Sequence, residues 1–336
     1  MKAIVLVSGG LDSALAAKII TKQNVDVVGI NFLIPFRPIE KISSNFNLKK
    51  FFDNLGIEIK SVDIFAESLK MIENPKFGFG SNLNPCLDCH ILMLKKAKEL
   101  LGKNKASFVV TGEVLGQRPM SQHRQALKLV EKESGLEGLV LRPLSANLLD
   151  LTIPEEKGWV KRDELFDFSG RSRKPQIKLA QKLGIKDYLT PAGGCLLTDP
   201  GFCRRLKDLQ ENSKDMTFNL NDIELLKLGR HFRIGANDKL IVGRNEEENN
   251  KLLKLAKDRD YVFEPQDVTG PIAIGRGKFN SSDLFGLASQ IVARYCDVKS
   301  GEAVKLNLSQ KDSSGQFRQI ISSAINNNFL ENLRIN

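Results

Sequence analysis

The stretch IVLVSGGLDSALAAKII, residues 4–20, decides how the chain is read. Ile4–Val7 is a short apolar run rich in β-branched residues, the pattern of a buried strand. Ser8-Gly9-Gly10 interrupts it, and Ala14–Ile20 resumes with helical spacing. Glycines let backbone N–H groups approach an anion closely, and the N-terminus of the following helix adds the positive end of its dipole. Asp12 and Ser13 fall in the first helical turn, where they also serve as caps. A plain strand-to-helix corner needs only the caps, whereas three adjacent features here suit phosphate. No Gly-Lys-Ser/Thr follows, so the loop is not a Walker A loop.

Outward from this stretch, strand and helix alternate. Val25–Phe32 reads as a second strand, Leu48–Leu55 as a helix, Ile57–Val62 as a third strand, Leu92–Leu101 as a helix, and a fourth strand begins at Ser107. This is the rhythm of a parallel doubly wound sheet, whose ligand site lies beyond the carboxyl ends of the strands. Ser8, Asn31 and Thr111-Gly112 occupy such ends. NPKFGFGSNLNPCLDCH, 74–90, reads as a long functional loop. A helix at Pro175–Leu183 precedes a second Gly/Pro loop, YLTPAGGCLLTDPGF. The polar stretch Asn212–Asn221 marks a domain boundary, and beyond it KLIVGR, PIAIGR and AVKLNL are strand-like runs among helical stretches, an α+β pattern. The expected division is 1–215 and 216–336.

Apolar content of 41% and charged content of 27% are those of an ordinary globular protein. The net charge of +10 is spread along the chain rather than gathered in a tail. It suits either a solvated basic surface or a polyanionic partner, most naturally nucleic acid. No apolar run is long enough to span a bilayer, and the N-terminus lacks the pattern of a secretory signal. The expected place is the cytoplasm, with no membrane partner. There, Cys86-x-x-Cys89 among five cysteines reads as metal or redox chemistry rather than a structural disulfide.

Ser8-Gly9-Gly10-Leu11-Asp12-Ser13 resembles the SGGxDS motif of the PP-loop ATP pyrophosphatases. The resemblance implies an α/β, adenine nucleotide alpha hydrolase-like domain that cuts ATP between the α and β phosphates. The loop would grip the leaving pyrophosphate, Mg²⁺ would shield the phosphates, and AMP would be placed on an acceptor oxygen. TGEVLGQRPMSQ, 111–122, is similar to a block of the tRNA 4-thiouridine synthases, and NPCLDCH, 84–90, to a segment of the tRNA 2-thiouridine synthases. Neither has an evident counterpart in the amide-forming relatives. Cys195, in the glycine-lined second loop, resembles the further cysteine of these thiolases.

What the resemblance implies is an ATP-dependent tRNA sulfurtransferase that adenylates a uridine carbonyl oxygen and replaces it with sulfur. Ser8, Gly9, Gly10, Asp12 and Ser13 would hold pyrophosphate, and Asn31, Thr111 and Gly112 would line the nucleotide. Gln117, Arg118, Ser121 and Gln122 come next along the cleft, with Arg118 neutralising transition-state charge. Cys86, Cys89 and Cys195 would carry the sulfur chemistry as ligands of a 4Fe-4S cluster with one open iron. A persulfide relay without a cofactor, or zinc with His90 as a further ligand, are the alternatives. Cys203 is a spare ligand or a buried thiol, and Cys296 has core neighbours. Sulfide or a cysteine desulfurase would donate the sulfur.

The 4-thiouridine synthases carry an RNA-binding region ahead of the PP-loop, and a loop at residue 8 leaves no room for one. LLKLGRHFRIGANDKLIVGRNEEENNKLLKLA, 225–256, resembles the RNA-binding domain of NFACT proteins and would supply that grip. Arg230, His231, Arg233 and Arg244 would then meet phosphates, or else form a basic strand face. Rival readings are a PP-loop ligase acting on a small molecule with structural zinc, and a non-catalytic tRNA-binding protein. Which uridine is modified, whether at C2 or C4, and whether the chain forms a homodimer stay open.

Overall fold

The computed structural model describes residues 1–37, 47–189, 194–213, 218–299, 301–311 and 317–335. The expected boundary at 215/216 and residues 190–193 of the second Gly/Pro loop lie outside them. The chain separates into two compact units, Met1–Thr198 and Asp199–Asn336.

The first unit runs β1 (Lys2–Leu6), α1 (Leu11–Lys22), β2 (Asp26–Leu33), α2 (Leu48–Asp53), β3 (Glu58–Asp63), α3 (Phe65–Glu73), α4 (Cys86–Lys103), β4 (Phe108–Val110), α5 (Arg124–Ser134), β5 (Val140–Leu141), α6 (Ile153–Glu156) and α7 (Lys174–Lys182). Its five strands are all parallel in the order β3-β2-β1-β4-β5. Alternate residues of β1 feed two cores. Ala3 and Val5 pack with Leu11, Ala14 and Leu15 of α1, Phe52 of α2 and Leu179 of α7. Ile4, Val28 and Ile30 pack with Ile91 and Leu94 of α4 and Val130 of α5. Helices on both faces leave the central strands β1 and β4 buried on both sides, which is why they read as apolar runs, while the edge strand β3 stays half exposed. The strand order reverses between β1 and β4, so the crevice for a ligand opens beyond the ends of these two strands.

One boundary differs from expectation. The CxxC motif is not in the long loop but in the first turn of α4, which starts at Cys86 instead of Leu92. Pro85 takes the N-cap position, and Asp88 in the first turn accepts hydrogen bonds from the backbone N–H groups of Lys76 (3.0 Å) and Phe77 (3.1 Å). The helix thus pins the loop that precedes it.

The second unit runs α8 (Pro200–Glu211), α9 (Leu220–Leu226), β6 (Arg230–Gly235), β7 (Asp238–Val242), α10 (Glu246–Leu255), β8 (Tyr261–Pro265), β9 (Ala273–Arg276), α11 (Ser282–Ala293), β10 (Val304–Gln310), β11 (Phe317–Ser322) and α12 (Asn327–Leu333). The strands form an antiparallel sheet in the order β11-β10-β8-β9-β7-β6. Leu240 and Val242 of β7 pack toward α11, while Ile241 faces a smaller core with Leu225 and Leu252 of α9 and α10. Helix α8 joins this unit because its Asp208 pairs with Arg233 and Lys239, and Arg205 donates to the Leu226 carbonyl. Among the described residues no helix is long and apolar enough to cross a membrane.

Candidate active site

The loop between β1 and α1 is closed by its own serines. Ser13 Oγ donates to the Gly10 carbonyl (2.8 Å) and accepts from the Ser8 N–H (3.3 Å). Gly9 sits at φ +82°, a left-handed conformation that favours glycine, with Leu189 and Leu48 close against the space a Cβ would fill. At the end of β4, a Cβ on Gly112 would lie 2.5 Å from the backbone carbon of Asp12 and 2.6 Å from the Ser13 nitrogen. Only glycine lets the end of β4 approach the first turn of α1 so closely.

Asp12 is the hub. Its Oδ2 accepts from Gln117 Nε2 (2.8 Å) and from Arg173 Nη2 (2.6 Å), and Gln117 Oε1 accepts from Gln176 Nε2 (3.0 Å). Asp12 Oδ1 and Arg173 Nε and Nη1 are buried without partners. Buried donors of a cation left unpaired beside a glycine loop describe a pocket built for an anion. Arg173 and Gln176 were not expected from sequence. Arg173 lies 161 residues from Asp12, in a run of basic residues with no local pattern to single it out.

The second centre lies along the same 111–122 segment. Cys86, Cys89 and Cys195 are all half-buried. Burial pushes the Cys89 thiol up to about 12, and the neighbouring Cys195 and Cys86 push the same way, so the three thiols share one locality. Cys195 faces the Phe36 carbonyl, and the adjacent Leu196 N–H donates to that carbonyl (2.9 Å). Burial also raises Cys86, but the hydrogen bond and charge of His90 outweigh it, with Ser121 and Arg118 adding to the fall, and the thiol lies below its ordinary value. His90 Nδ1 is 2.8 Å from Glu113 Oε1, and Glu113 Oε2 accepts from Thr111 Oγ1 (3.0 Å) and Arg142 Nε (2.9 Å). Burial opposes charge on Glu113, yet Arg142 and His90 hold it well below the carboxylate range. Burial opposes charge on His90 too, but hydrogen bonds and charge from Cys86 and Glu113 raise it to about 10. Cys86, His90 and Glu113 therefore form a connected acid–base chain, the Glu113 end of which was legible only as part of a motif.

The remaining expected residues fall as follows. Asn31 is buried and accepts from Arg37 (3.4 Å). Gly112 lies on the Asp12 side, while the Thr111 hydroxyl turns to Glu113. Gln117 reaches Asp12, the charge of Arg118 acts on Cys86, and the Ser121 hydroxyl and Gln122 Oε1 are buried without a hydrogen-bond partner. Cys203 and Cys296 are buried. Among the described residues, no group of three or more His, Cys, Asp or Glu side chains is arranged to hold a metal ion.

In the second unit the expected phosphate-facing set needs correction. His231 is buried, donates through Nε2 to the Leu228 carbonyl (2.7 Å), and burial holds its imidazole well below its usual value. Both faces of β6 are covered, so its side chains alternate between two interiors rather than between core and solvent. Arg233 is paired with Asp208 and Arg244 with Glu248, while Arg230 lies 4.5 Å from the Tyr295 ring.

Residues 1–149 match the family model for the thiamine biosynthesis protein ThiI, and residues 229–331 match that for the NFACT protein RNA binding domain. A probable tRNA sulfurtransferase of Thermococcus kodakarensis is 30% identical over 146 residues, 43% of this chain and 36% of that protein. The tRNA-specific 2-thiouridylase MnmA of Desulfosudis oleivorans is 30% identical over 89 residues, 26% of this chain and 24% of that protein. The alignments thus span about a third or less of the relatives' length. A crystal structure of a 4-thiouridine synthetase–RNA complex with bound ATP aligns at 17% identity and a TM-score of 0.38, covering 67% of this chain and 52% of that one.

Proposed function

We propose that the chain is an ATP-dependent tRNA sulfurtransferase. The observation that carries this reading is the 111–122 segment: Gln117 reaches the Asp12–Arg173 anion pocket while Arg118 and Ser121, one to four residues on, flank Cys86. An enzyme that activates a carbonyl with ATP and then substitutes sulfur needs those two centres side by side. The family match over the first unit supports sulfur transfer, and the match at 229–331 supports RNA as the substrate's bearer.

In the first half-reaction the loop N–H groups and Arg173 take the β and γ phosphates of MgATP, and Asp12 Oδ1, buried and unpaired, suits the accompanying Mg²⁺. The uridine carbonyl oxygen attacks the α-phosphorus, and the bond to the β,γ-pyrophosphate breaks. In the second, sulfur attacks the activated carbon and AMP leaves with the former carbonyl oxygen. Thiolates are the ligands iron–sulfur clusters take, and Cys86, Cys89 and Cys195 would hold a 4Fe-4S cluster. When bound, that cluster supplies an open iron able to hold sulfide. The lowered Cys86 thiol and its His90–Glu113 partners favour a second reading, a persulfide on Cys86 formed by transfer of sulfane sulfur from the persulfide of a cysteine desulfurase, whose own thiolate is the leaving group. The terminal sulfur of Cys86–S–S⁻ would attack the carbon, and a thiolate of Cys89 or Cys195 would then cleave the S–S bond. That step releases thiouridine and leaves a disulfide, which an external two-electron thiol reductant must reset.

The test is anaerobic incubation of MgATP and unmodified tRNA with sulfide in one arm, and with a cysteine desulfurase, cysteine and a thiol reductant in the other. AMP, pyrophosphate and thiouridine are expected in equal amounts. Cys86→Ser, Cys89→Ser and Cys195→Ser should abolish thiouridine and leave MgATP binding intact. ATP cleavage indifferent to tRNA, or thiolation surviving all three substitutions, would overturn the proposal. Iron content, lost in the same variants, separates cluster from persulfide.

A further inference from the structure

The two sides of helix α7 meet different surroundings. The inner side is buried through Gln176, Leu179 and Ala180 and borders the anion pocket, where Gln176 reaches Gln117. Arg173, just ahead of the helix, reaches Asp12. The outer side carries Lys174, Lys178 and Lys182, all exposed, at i, i+4 and i+8. At 1.5 Å per residue these side chains leave the helix about 6 Å apart along one stripe. Arg171, also exposed, extends the stripe past the N-terminus.

No acid answers these cations. Helix α7 contains no Asp or Glu. Helix α1, packed against it, adds Lys18 and Lys22, and its one acid, Asp12, is already held by Arg173. Asp167 and Asp187, exposed before and after α7, form no ion pair among the described residues, and neither do Arg171 or the five lysines. Helix α4, on the other face of the sheet, is the contrast. There Lys96 pairs with Glu67 and Glu99, and the charge of Lys95 acts on Glu133. Like charges at i, i+4 destabilise a helix, so the α7 stripe works against the fold that carries it.

We propose that the outer side of α7 is a docking surface for the phosphate backbone of RNA, which it guides toward the ATP pocket on the inner side. The proposal rests on the sulfurtransferase reading for the identity of that RNA as the substrate tRNA. The chemistry separates RNA from a protein partner. Lysine is depleted in protein–protein interfaces, and Ile177 is the one large apolar side chain that α7 exposes. Spaced cations without acids are instead what displaces counterions from a polyanion. Such contacts position the strand and carry no sequence information, so the choice of uridine falls to other residues.

The experiment measures binding of unmodified tRNA by the full chain between about 50 and 200 mM salt. Lys174→Gln/Lys178→Gln/Lys182→Gln should weaken binding and lower the slope of log K against log salt by about 2–3, at about 0.7–0.9 for each lost phosphate contact. MgATP binding should be unchanged and the melting temperature unchanged or higher. Lys95→Gln/Lys98→Gln/Lys103→Gln, which removes the same charge from exposed positions of α4, should leave the slope as it is. Unaltered affinity and slope in the α7 variant, or an equal fall in the α4 variant, would overturn the proposal even where thiolation proceeds. Affinity for tRNA kept while sulfur transfer from a cysteine desulfurase is lost would give the stripe to the donor protein and overturn it equally. A fall confined to the α7 variant, in a chain that makes no thiouridine, would uphold the RNA surface and refute only the sulfurtransferase reading.

Discussion

The close approach of β4 to the PP-loop makes Gly112→Ala a severe test of the site. The added Cβ would sit 2.5 Å from the Asp12 carbon and 2.6 Å from both the Asp12 oxygen and the Ser13 nitrogen. Ordinary carbon contacts are about 3.5–4 Å, so the two backbones must part by about 1 Å. Neither yields cheaply. Leu11, Ser13, Ala14 and Leu15 are buried on one side, and Val109 and Val110 on the other. Overpacking of a fixed core costs about 1–3 kcal/mol, and a clash with backbone on both sides belongs at the upper end. The same movement carries Asp12 away from Gln117 and Arg173, whose bonds of 2.8 and 2.6 Å would stretch beyond hydrogen-bonding range.

Gly102→Ala is the control. Gly102 lies in the last turn of α4, and a Cβ there would meet nothing within 4 Å. Helix propensity alone predicts a gain of up to about 1 kcal/mol. Trp159, the chain's one tryptophan, packs on Phe108 of β4 with ring centroids 6.1 Å apart, so its fluorescence reports unfolding of the first unit in urea. With a urea slope of about 2 kcal/mol per molar, Gly112→Ala should lower the midpoint by about 1–1.5 M while Gly102→Ala holds or raises it. MgATP binding and pyrophosphate release should collapse in the first variant only, by about a hundredfold or more for a 1 Å displacement. If Gly112→Ala keeps both its midpoint and its pyrophosphate release, the loop and β4 do not form one anion site, and the placement of ATP here is wrong.

Three further outcomes follow from particular contacts. Arg173→Met removes an unpaired guanidinium edge from the anion pocket and should cut pyrophosphate release by about 10²–10³, while urea unfolding shifts by only about 1–3 kcal/mol. Glu113→Gln strips a buried partner from both Arg142 and His90 and should destabilise the first unit by about 3–5 kcal/mol. Adding Arg142→Met to it should cost less than the sum of the single changes, because the charge left stranded by the first is then gone. His231 is held neutral in the fold, whereas the unfolded chain binds its proton below the ordinary histidine value of 6.5. The unfolded state then carries more protons, so stability of the second unit falls as pH drops below 6.5, at a limiting slope of about 1.4 kcal/mol per pH unit. His231→Gln should flatten that limb between pH 6.5 and the range where Asp208 begins to titrate, as read by calorimetry.

What could be read from sequence was what is contiguous. β1, the PP-loop and α1 are a single run of residues whose periodicity, glycines and caps all agree, and the parallel sheet followed from repeating that rhythm. Elements decided by tertiary contact were missed or misplaced. β5 is two residues long and exists as a strand only through its pairing with β4. The start of α4 was hidden by Pro85 and the Asn- and Gly-rich residues before it, which read as loop until Asp88 is seen fastening that loop to the helix. His231 read as part of a basic face because alternation along a strand predicts faces, not whether the second face is covered.

The candidate site divides along the same line, and the division has a physical cause. Glycines and caps announce themselves because backbone geometry restricts which residues can stand there. A charged partner such as Arg173 needs only reach, so a long side chain can arrive from any loop and leave no local pattern. The same holds for Glu113, where the motif drew attention to the residue but not to its contacts. Only the fold shows it spanning His90 on one side and Arg142 on the other, linking the thiol centre to a buried guanidinium that no motif marks. Substitutions at the glycines should therefore act through backbone position and stability together. Those at Arg173 should act on pyrophosphate release without displacing the backbone, and a loss of release larger than the loss of stability, measured on one chain, would distinguish a built anion site from a well-capped corner.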